Sequence, residues 1–190
     1  MHEQERGDVL TGIARAAIAA ALGCPDKPLP QEDWLNEPGA TFVTLTQNGR
    51  LRGCIGSLQA HRALAEDVRH NARAAAFNDP RFAPLQAGEL DNIICEVSLL
   101  SPPQTMTFRD EADALAQLRP GVDGLILEYS APSDGRCHRS TFLPQVWEQL
   151  PDPHLFMAQL KRKAGLPDDF WDDGMRLSRY TVSKWREKEG

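Results

Sequence analysis

Two rhythms of hydrophobic and polar residues interleave along the chain, one of period two and one recurring every three to four residues. Over residues 41–47 and 50–58 apolar and polar side chains alternate as in a strand, and the runs meet at Asn48-Gly49. That dipeptide suits the two positive-φ positions of a type I′ turn, so the stretch predicts a β-hairpin. A two-residue loop would pair Gln47 with Arg50, Leu45 with Arg52, Val43 with Cys54 and Phe42 with Ile55. Val43, Leu45, Arg52 and Cys54 would then share one face, and Phe42, Thr44, Leu51 and Ile55 the other. Apolar groups on both faces predict a hairpin covered on both sides.

The helical rhythm appears first over residues 8–22, where Val9, Leu10, Ile13, Ala17, Ala20 and Ala21 form a stripe that stops at Gly23, with Pro25 just beyond. Residues 25–39 carry four prolines and predict a loop with a short turn around Trp34. A second helix is predicted over 61–77, with Leu64, Val68, Ala72 and Ala75 or Ala76 inward and Arg62, Asp67, Arg69, His70 and Arg73 on a solvated face. Pro80 disfavours helix at Asp79 and makes 78–84 a structured turn. Residues 92–100 alternate as a strand, with Glu96 on the face of Ile94, Ser98 and Leu100. A short helix over 111–118, strands over 122–129 and 136–142, and helices over 144–149 and 154–164 follow. Lys161, Arg162 and Lys163 read as solvated, and 175–185 as a strand with neither face cleanly apolar. Hairpin signals among alternating strands and helices predict an α+β fold with a mixed, largely antiparallel sheet and flanking helices.

Length and charge narrow the function classes. A chain of 190 residues suits one domain with a sizeable core, and a net charge of −6 disfavours non-specific binding to nucleic acid. No apolar run approaches the roughly 20 residues of a membrane helix, and the opening residues lack the apolar core of a secretory signal. A cytoplasmic location is the expectation. Cys24, Cys54, Cys95 and Cys137 are scattered without a Cys-x-x-Cys, which predicts free thiols and no metal site. No phosphate-binding glycine fingerprint appears, and no cofactor is expected.

Candidate chemistry gathers at residues 52–56. Gly53 and Gly56 flank Cys54 in a strand that glycine weakens, and such glycines mark a bulge, a tight bend or close approach to the backbone. Two readings of Cys54 stand: a small buried hydrophobe, or a pocket thiol whose thiolate the Arg52 guanidinium favours. Glu96 reads either as a partly exposed sheet carboxylate or, if buried, as one that needs a partner such as Arg52 or holds a raised pKa. Asp79 reads as a turn builder, and Arg81 as its ion-pair partner or as a contact for an anionic ligand. His61 and His70 are within chemical reason as bases for Cys54, but their spacing establishes no dyad.

Leu51-Arg52-Gly53-Cys54-Ile55-Gly56 resembles the signature hexapeptide of the AMMECR domain family, named from the chromosomal region of the AMME syndrome. The likeness continues through 76–82, Glu89-Leu90, Glu96-Val97-Ser98, 121–125, 141–147 and 163–166, nearly the whole chain. The resemblance implies one α+β domain of two unequal subdomains, with the signature near the groove between them. It names no accepted reaction, but it implies association with a Memo-family, dioxygenase-like protein and a radical-SAM protein. Two functions follow as expectations. One is a non-catalytic module binding a small ligand or a partner segment, with Gly53, Gly56, Asp79 and Arg81 as ligand contacts. The other is a thiol-dependent enzyme, with Cys54 as nucleophile, Arg52 as thiolate or substrate anchor and Glu96 as proton-handling group.

Overall fold

A computed structural model describes residues 3–188. Met1 and His2, part of the segment read for a secretory signal, lie outside them, as do Glu189 and Gly190. In chain order the elements are α1 (Glu3–Ala21), β1 (Pro38–Gln47), β2 (Arg50–Gly56), β3 (Arg62–Ala63), α2 (Leu64–Phe77), β4 (Ile93–Leu100), β5 (Gln104–Thr105), α3 (Glu111–Gln117), β6 (Gly124–Ser130), β7 (Cys137–Phe142), α4 (Pro153–Lys163), β8 (Arg176–Tyr180) and β9 (Val182–Arg186). Short 3₁₀ segments lie at Asp33–Asn36, Ala87–Asn92 and Pro144–Glu148. The fold is α+β with two sheets, and each strand pair whose register is described is antiparallel.

The chain divides into two compact units, the first running to Leu100 and resuming at Ser183, the second spanning Ser101–Val182. In the first unit the strand order is β2-β1-β4-β9, with β3 added to the start of β1. One face of this sheet is apolar: Val43, Leu45, Ile93, Cys95 and Val97 are buried and cluster with Leu10, Ile13 and Ile18 of α1 and Val68, Ala72 and Ala75 of α2. The stripe read in α2 is the surface that covers it; α1 covers it through Leu10, Ile13 and Ala17 of its stripe and through Ala14 and Ile18, which the stripe omits, while Ala21 is exposed. α2 starts later than its periodicity predicts because Arg62 and Ala63 pair with Gly39 and Pro38.

The hairpin turn forms as predicted, with Asn48 at φ 52° and Gly49 at φ 73°. Beyond it the register departs from the simple one. Gln47 pairs with Arg50 and Thr46 with Leu51, but Leu45 then pairs with Gly53, Thr44 with Cys54, Val43 with Ile55 and Phe42 with Gly56. Arg52 is the extra residue of a β-bulge, so every side chain after it lies on the face opposite to the one expected. Cys54 therefore does not share a face with Val43 and Leu45. It joins Phe42, Thr44, Glu96 and Ser98 on the second face, where Thr44 pairs with Cys54 on one side and Glu96 on the other. Nor is the hairpin sealed on both sides: Phe42, Thr44, Cys54 and Glu96 are half-buried.

Two further expectations fail. Asp67, assigned to a solvated face, is fully buried. Its carboxylate accepts hydrogen bonds from the Thr41 N–H (2.8 Å) and hydroxyl (2.7 Å), the Ser57 hydroxyl (2.8 Å) and the Asn71 amide (3.0 Å). Positions 64, 67, 68, 71 and 72 lie at helical spacing on one side of α2, so Asp67 and Asn71 ride in the buried stripe itself. Lys161 is also buried rather than solvated, its ammonium paired with Glu111 and donating to the Asp168 carbonyl at 3.2 Å.

The second unit has the sheet β5-β8-β6-β7, with Leu125, Leu127 and Leu177 packed among Phe156, Met157 and Leu160 of α4. Trp147 stacks on Phe156 at 3.8 Å between ring centroids and donates its indole N–H to the Asp123 carbonyl at 2.7 Å. The strand expected over 175–185 is in fact two, β8 in this sheet and β9 in the other. One run of residues serves two cores, which is why neither of its faces reads as cleanly apolar.

Candidate functional site

The hexapeptide strand β2 owes its glycines to close packing. A Cβ on Gly53 would lie 2.1 Å from the Ala75 carbonyl oxygen of α2, and one on Gly56 would lie 2.2 Å from the Phe42 ring. Both are closer than any side-chain carbon tolerates, so helix backbone and aromatic ring occupy the space that side chains would take. These two glycines set β2 against its neighbours and leave Cys54 between them on the second face.

Around Cys54 the structure assembles a small polar constellation. The thiol sulfur lies 3.2 Å from the Thr44 hydroxyl, within hydrogen-bond reach. The Cys54 N–H donates to Asp79 Oδ2 at 2.9 Å, and its carbonyl accepts from Arg81 Nη2 at 3.3 Å. Arg81 grips Asp79 in turn through Nε (3.0 Å) and Nη2 (2.7 Å), the planar fork that suits a carboxylate. The Arg81 guanidinium holds the Asp79 carboxyl far below the usual carboxylate range, helped by the N–H groups of Cys54 and Arg81. The Asp79 side chain is buried, while that of Arg81 is 54% exposed. The turn over 78–84 thus fastens the signature strand through its backbone and presents a guanidinium beside the cysteine.

Arg52 goes elsewhere. As the bulge residue it turns to Glu89, donating from Nε (2.9 Å) and Nη2 (3.1 Å). Glu89 also accepts the Gln86 N–H at 2.8 Å, and Arg52 first, then that N–H, lower its carboxyl pKa. The cation beside Cys54 is Arg81, not Arg52. Glu96 shares the cysteine's row, but across Thr44, so strand spacing puts the two Cα atoms about 10 Å apart. No hydrogen bond or ion pair joins Glu96 to another described residue, so Arg52 is not its partner either. His61 and His70 are exposed, and neither is a polar partner of Cys54. Among the described residues no three His, Cys, Asp or Glu side chains are grouped as a metal site needs.

The arrangement therefore joins Cys54, Asp79, Arg81 and the two glycines, places Glu96 along the same row and removes Arg52. Sequence reasoning missed Thr44 as the neighbour of the thiol and Glu89 as the partner of Arg52. The bulge hid both: the glycines leave a bulge open among other readings, but nothing in the alternating run places it at Arg52. No helix among the described residues is long and apolar enough to cross a membrane.

Comparison with known proteins agrees with the motifs. The AMMECR1 family pattern matches residues 11–185. A protein of Saccharolobus solfataricus is 38% identical over 185 residues, covering 93% of this chain and 79% of the relative. One from Methanothermobacter thermautotrophicus is 37% identical over 189 residues, covering 97% and 95%. The crystal structure of an uncharacterised protein from Pyrococcus horikoshii superposes with a TM-score of 0.79 at 32% identity, over 98% of this chain and 93% of that one. With its signature strand, its flanking motifs and these relatives, the chain belongs to the AMMECR1 family.

Proposed function

We propose that this protein is a binding module in which the second face of the first unit's sheet receives a small ligand or a segment of a Memo-like or radical-SAM partner. The observation that carries this reading is what surrounds the Cys54 thiol. Its sulfur meets a hydroxyl, and the nearby carboxylate, Asp79, is held ionised by Arg81 and spent on backbone N–H groups. A nucleophilic cysteine needs a base within hydrogen-bond reach or a strongly cationic setting. Here the constellation works as a fastening. Glu96 offers an accepting carboxylate and Arg81 an exposed guanidinium, a pair of opposite charges suited to orienting a polar ligand.

A thiol-dependent enzyme is the second reading, favoured by the half-buried position of Cys54 and by the Arg81 guanidinium at its carbonyl. Cys24 and Cys137 are free and exposed, and so serve as internal references. The test is alkylation by iodoacetamide across neutral pH, followed at each cysteine by mass spectrometry. Cys54 reacting no faster than Cys24 and Cys137 supports binding, whereas Cys54 reacting first supports the enzyme. A co-purification with a Memo-like and a radical-SAM protein completes it. Capture by the native chain, weakened by Glu96→Gln or Arg81→Gln, is expected. If neither protein associates and no small molecule is retained after gentle purification, the binding reading fails.

A further inference from the structure

Along the exposed side of α2 runs a cavity of about 320 Å³, lined by Arg62, Glu66, Arg69, His70, Arg73 and Asn78 with Ala74 at its wall. Three guanidinium groups face one carboxylate in a chain whose net charge is −6. Each arginine is steadied through a single nitrogen: Arg69 Nη2 on Asp26 at 3.1 Å, Arg62 Nε on the buried Asp67 at 3.4 Å, and Arg73 Nε on the Ala17 carbonyl at 3.4 Å. Their remaining N–H groups are left for another acceptor. Arg69 and Arg73 are also four residues apart on one helix, a spacing at which like charges repel.

We propose that this cavity is an anion site for the phosphate groups of a small phosphorylated molecule, with Arg69 and Arg73 as its clamp and Arg62 closing one end. An anion between the arginines turns their repulsion into attraction, and the guanidinium fork matches phosphate oxygens in pairs. The volume lies at the small end of the roughly 300–1,000 Å³ typical of ligand pockets, which suits one or two phosphate groups better than a polymer. The acidic chain as a whole repels a long polyanion. The cavity touches the signature region only at its end, where Asn78 precedes the Asp79 that fastens β2; α2 meets the sheet with its opposite side, through Val68, Ala72 and Ala75.

Calorimetric titration of the full chain with inorganic pyrophosphate, ADP and adenosine tests this. Saturable binding of pyrophosphate is expected, weakened about tenfold or more in Arg69→Gln/Arg73→Gln, which loses two charge-assisted contacts. Ala74→Glu keeps every arginine and a good helix former but places a carboxylate at the wall, and it should weaken binding comparably. It alone decides if the double variant does not fold. Equal affinity for pyrophosphate and ADP identifies the diphosphate as the ligand, whereas tighter ADP identifies a nucleotide; both support the site. Absence of saturable binding at millimolar pyrophosphate overturns it, as does native affinity in the folded variants. Preference for a polyglutamate peptide over pyrophosphate overturns it too. Glu96→Gln should leave pyrophosphate affinity unchanged, so this proposal and the one for the signature face stand or fall separately.

Discussion

Cys54 and Cys95 lie on the two strands that flank β1, one on each face of the same sheet, and they have opposite fates. Cys95 is fully buried against the helices. Burial, then the neighbouring Glu187 carboxylate, pushes its thiol up to about 12. Cys54 is half-buried and faces a hydroxyl, with a guanidinium at its own carbonyl. The chemical difference between two identical side chains is thus set by which way a strand turns them. The covered face is a packed core with a saturated polar knot at Asp67, and the other face leaves Thr44, Cys54 and Glu96 half-buried.

The contrast breaks first, and most visibly, at the knot. Asp67→Ala strands the Thr41 N–H and hydroxyl, the Ser57 hydroxyl and the Asn71 amide in a buried site. A loss of about 3–5 kcal/mol in urea denaturation is expected, the scale for removing one partner of a buried charged network. Glu96→Gln, on the second face, should stay within about 0.5 kcal/mol of the native protein. Equal losses in the two variants would remove the distinction between the faces.

The cysteines sharpen it. Cys95→Ser puts a more strongly hydrated hydroxyl among Leu45, Val97 and the helical layer, but the Glu187 carboxylate beside it can accept its hydrogen bond, so the cost should be about 1 kcal/mol, the low end for a buried polar group. In Cys54→Ser the new hydroxyl meets the Thr44 oxygen, and stability should change by less than about 0.5 kcal/mol. The same denaturation experiment reads both.

A further contrast is a matter of pH. Because Asp79 is more acidic folded than unfolded, it contributes stability at pH above its unfolded value of about 3.9, and that contribution fades as pH falls toward the folded one. Stability measured from pH 6 down to pH 2 should therefore decline less steeply in Asp79→Asn than in the native chain. Parallel curves would mean that the Arg81 clamp does little for the fold.

Much of this architecture is legible in the residues. Asn48-Gly49 places the turn, the stripe of α2 and the Leu10, Ile13 and Ala17 part of the α1 stripe mark buried sides, and the alternation in β4 separates Cys95 from Glu96. What escapes are features that depend on contacts distant in sequence. Nothing local distinguishes Arg52 as an unpaired bulge residue, because the acceptor that holds it, Glu89, lies in another segment. Asp67 reads as solvated because the carboxylate is charged, although its helical position is interior; only the donors of β1 and of Ser57 make that burial tolerable. The strand over 175–185 hides its division for a similar reason, since Leu177 answers to one core and Trp185 to the other.

The bulge at Arg52 acts as a parity switch for the hexapeptide. Were Arg52 paired into the ladder instead of bulging out of it, every later residue would slip by one, turning the signature sulfur inward to abut the helical layer and swinging Ile55 out into its place, which inverts the strand's chemical polarity without altering its composition. A residue left out of the ladder, rather than any reactive group, is what keeps the cysteine on the half-buried face.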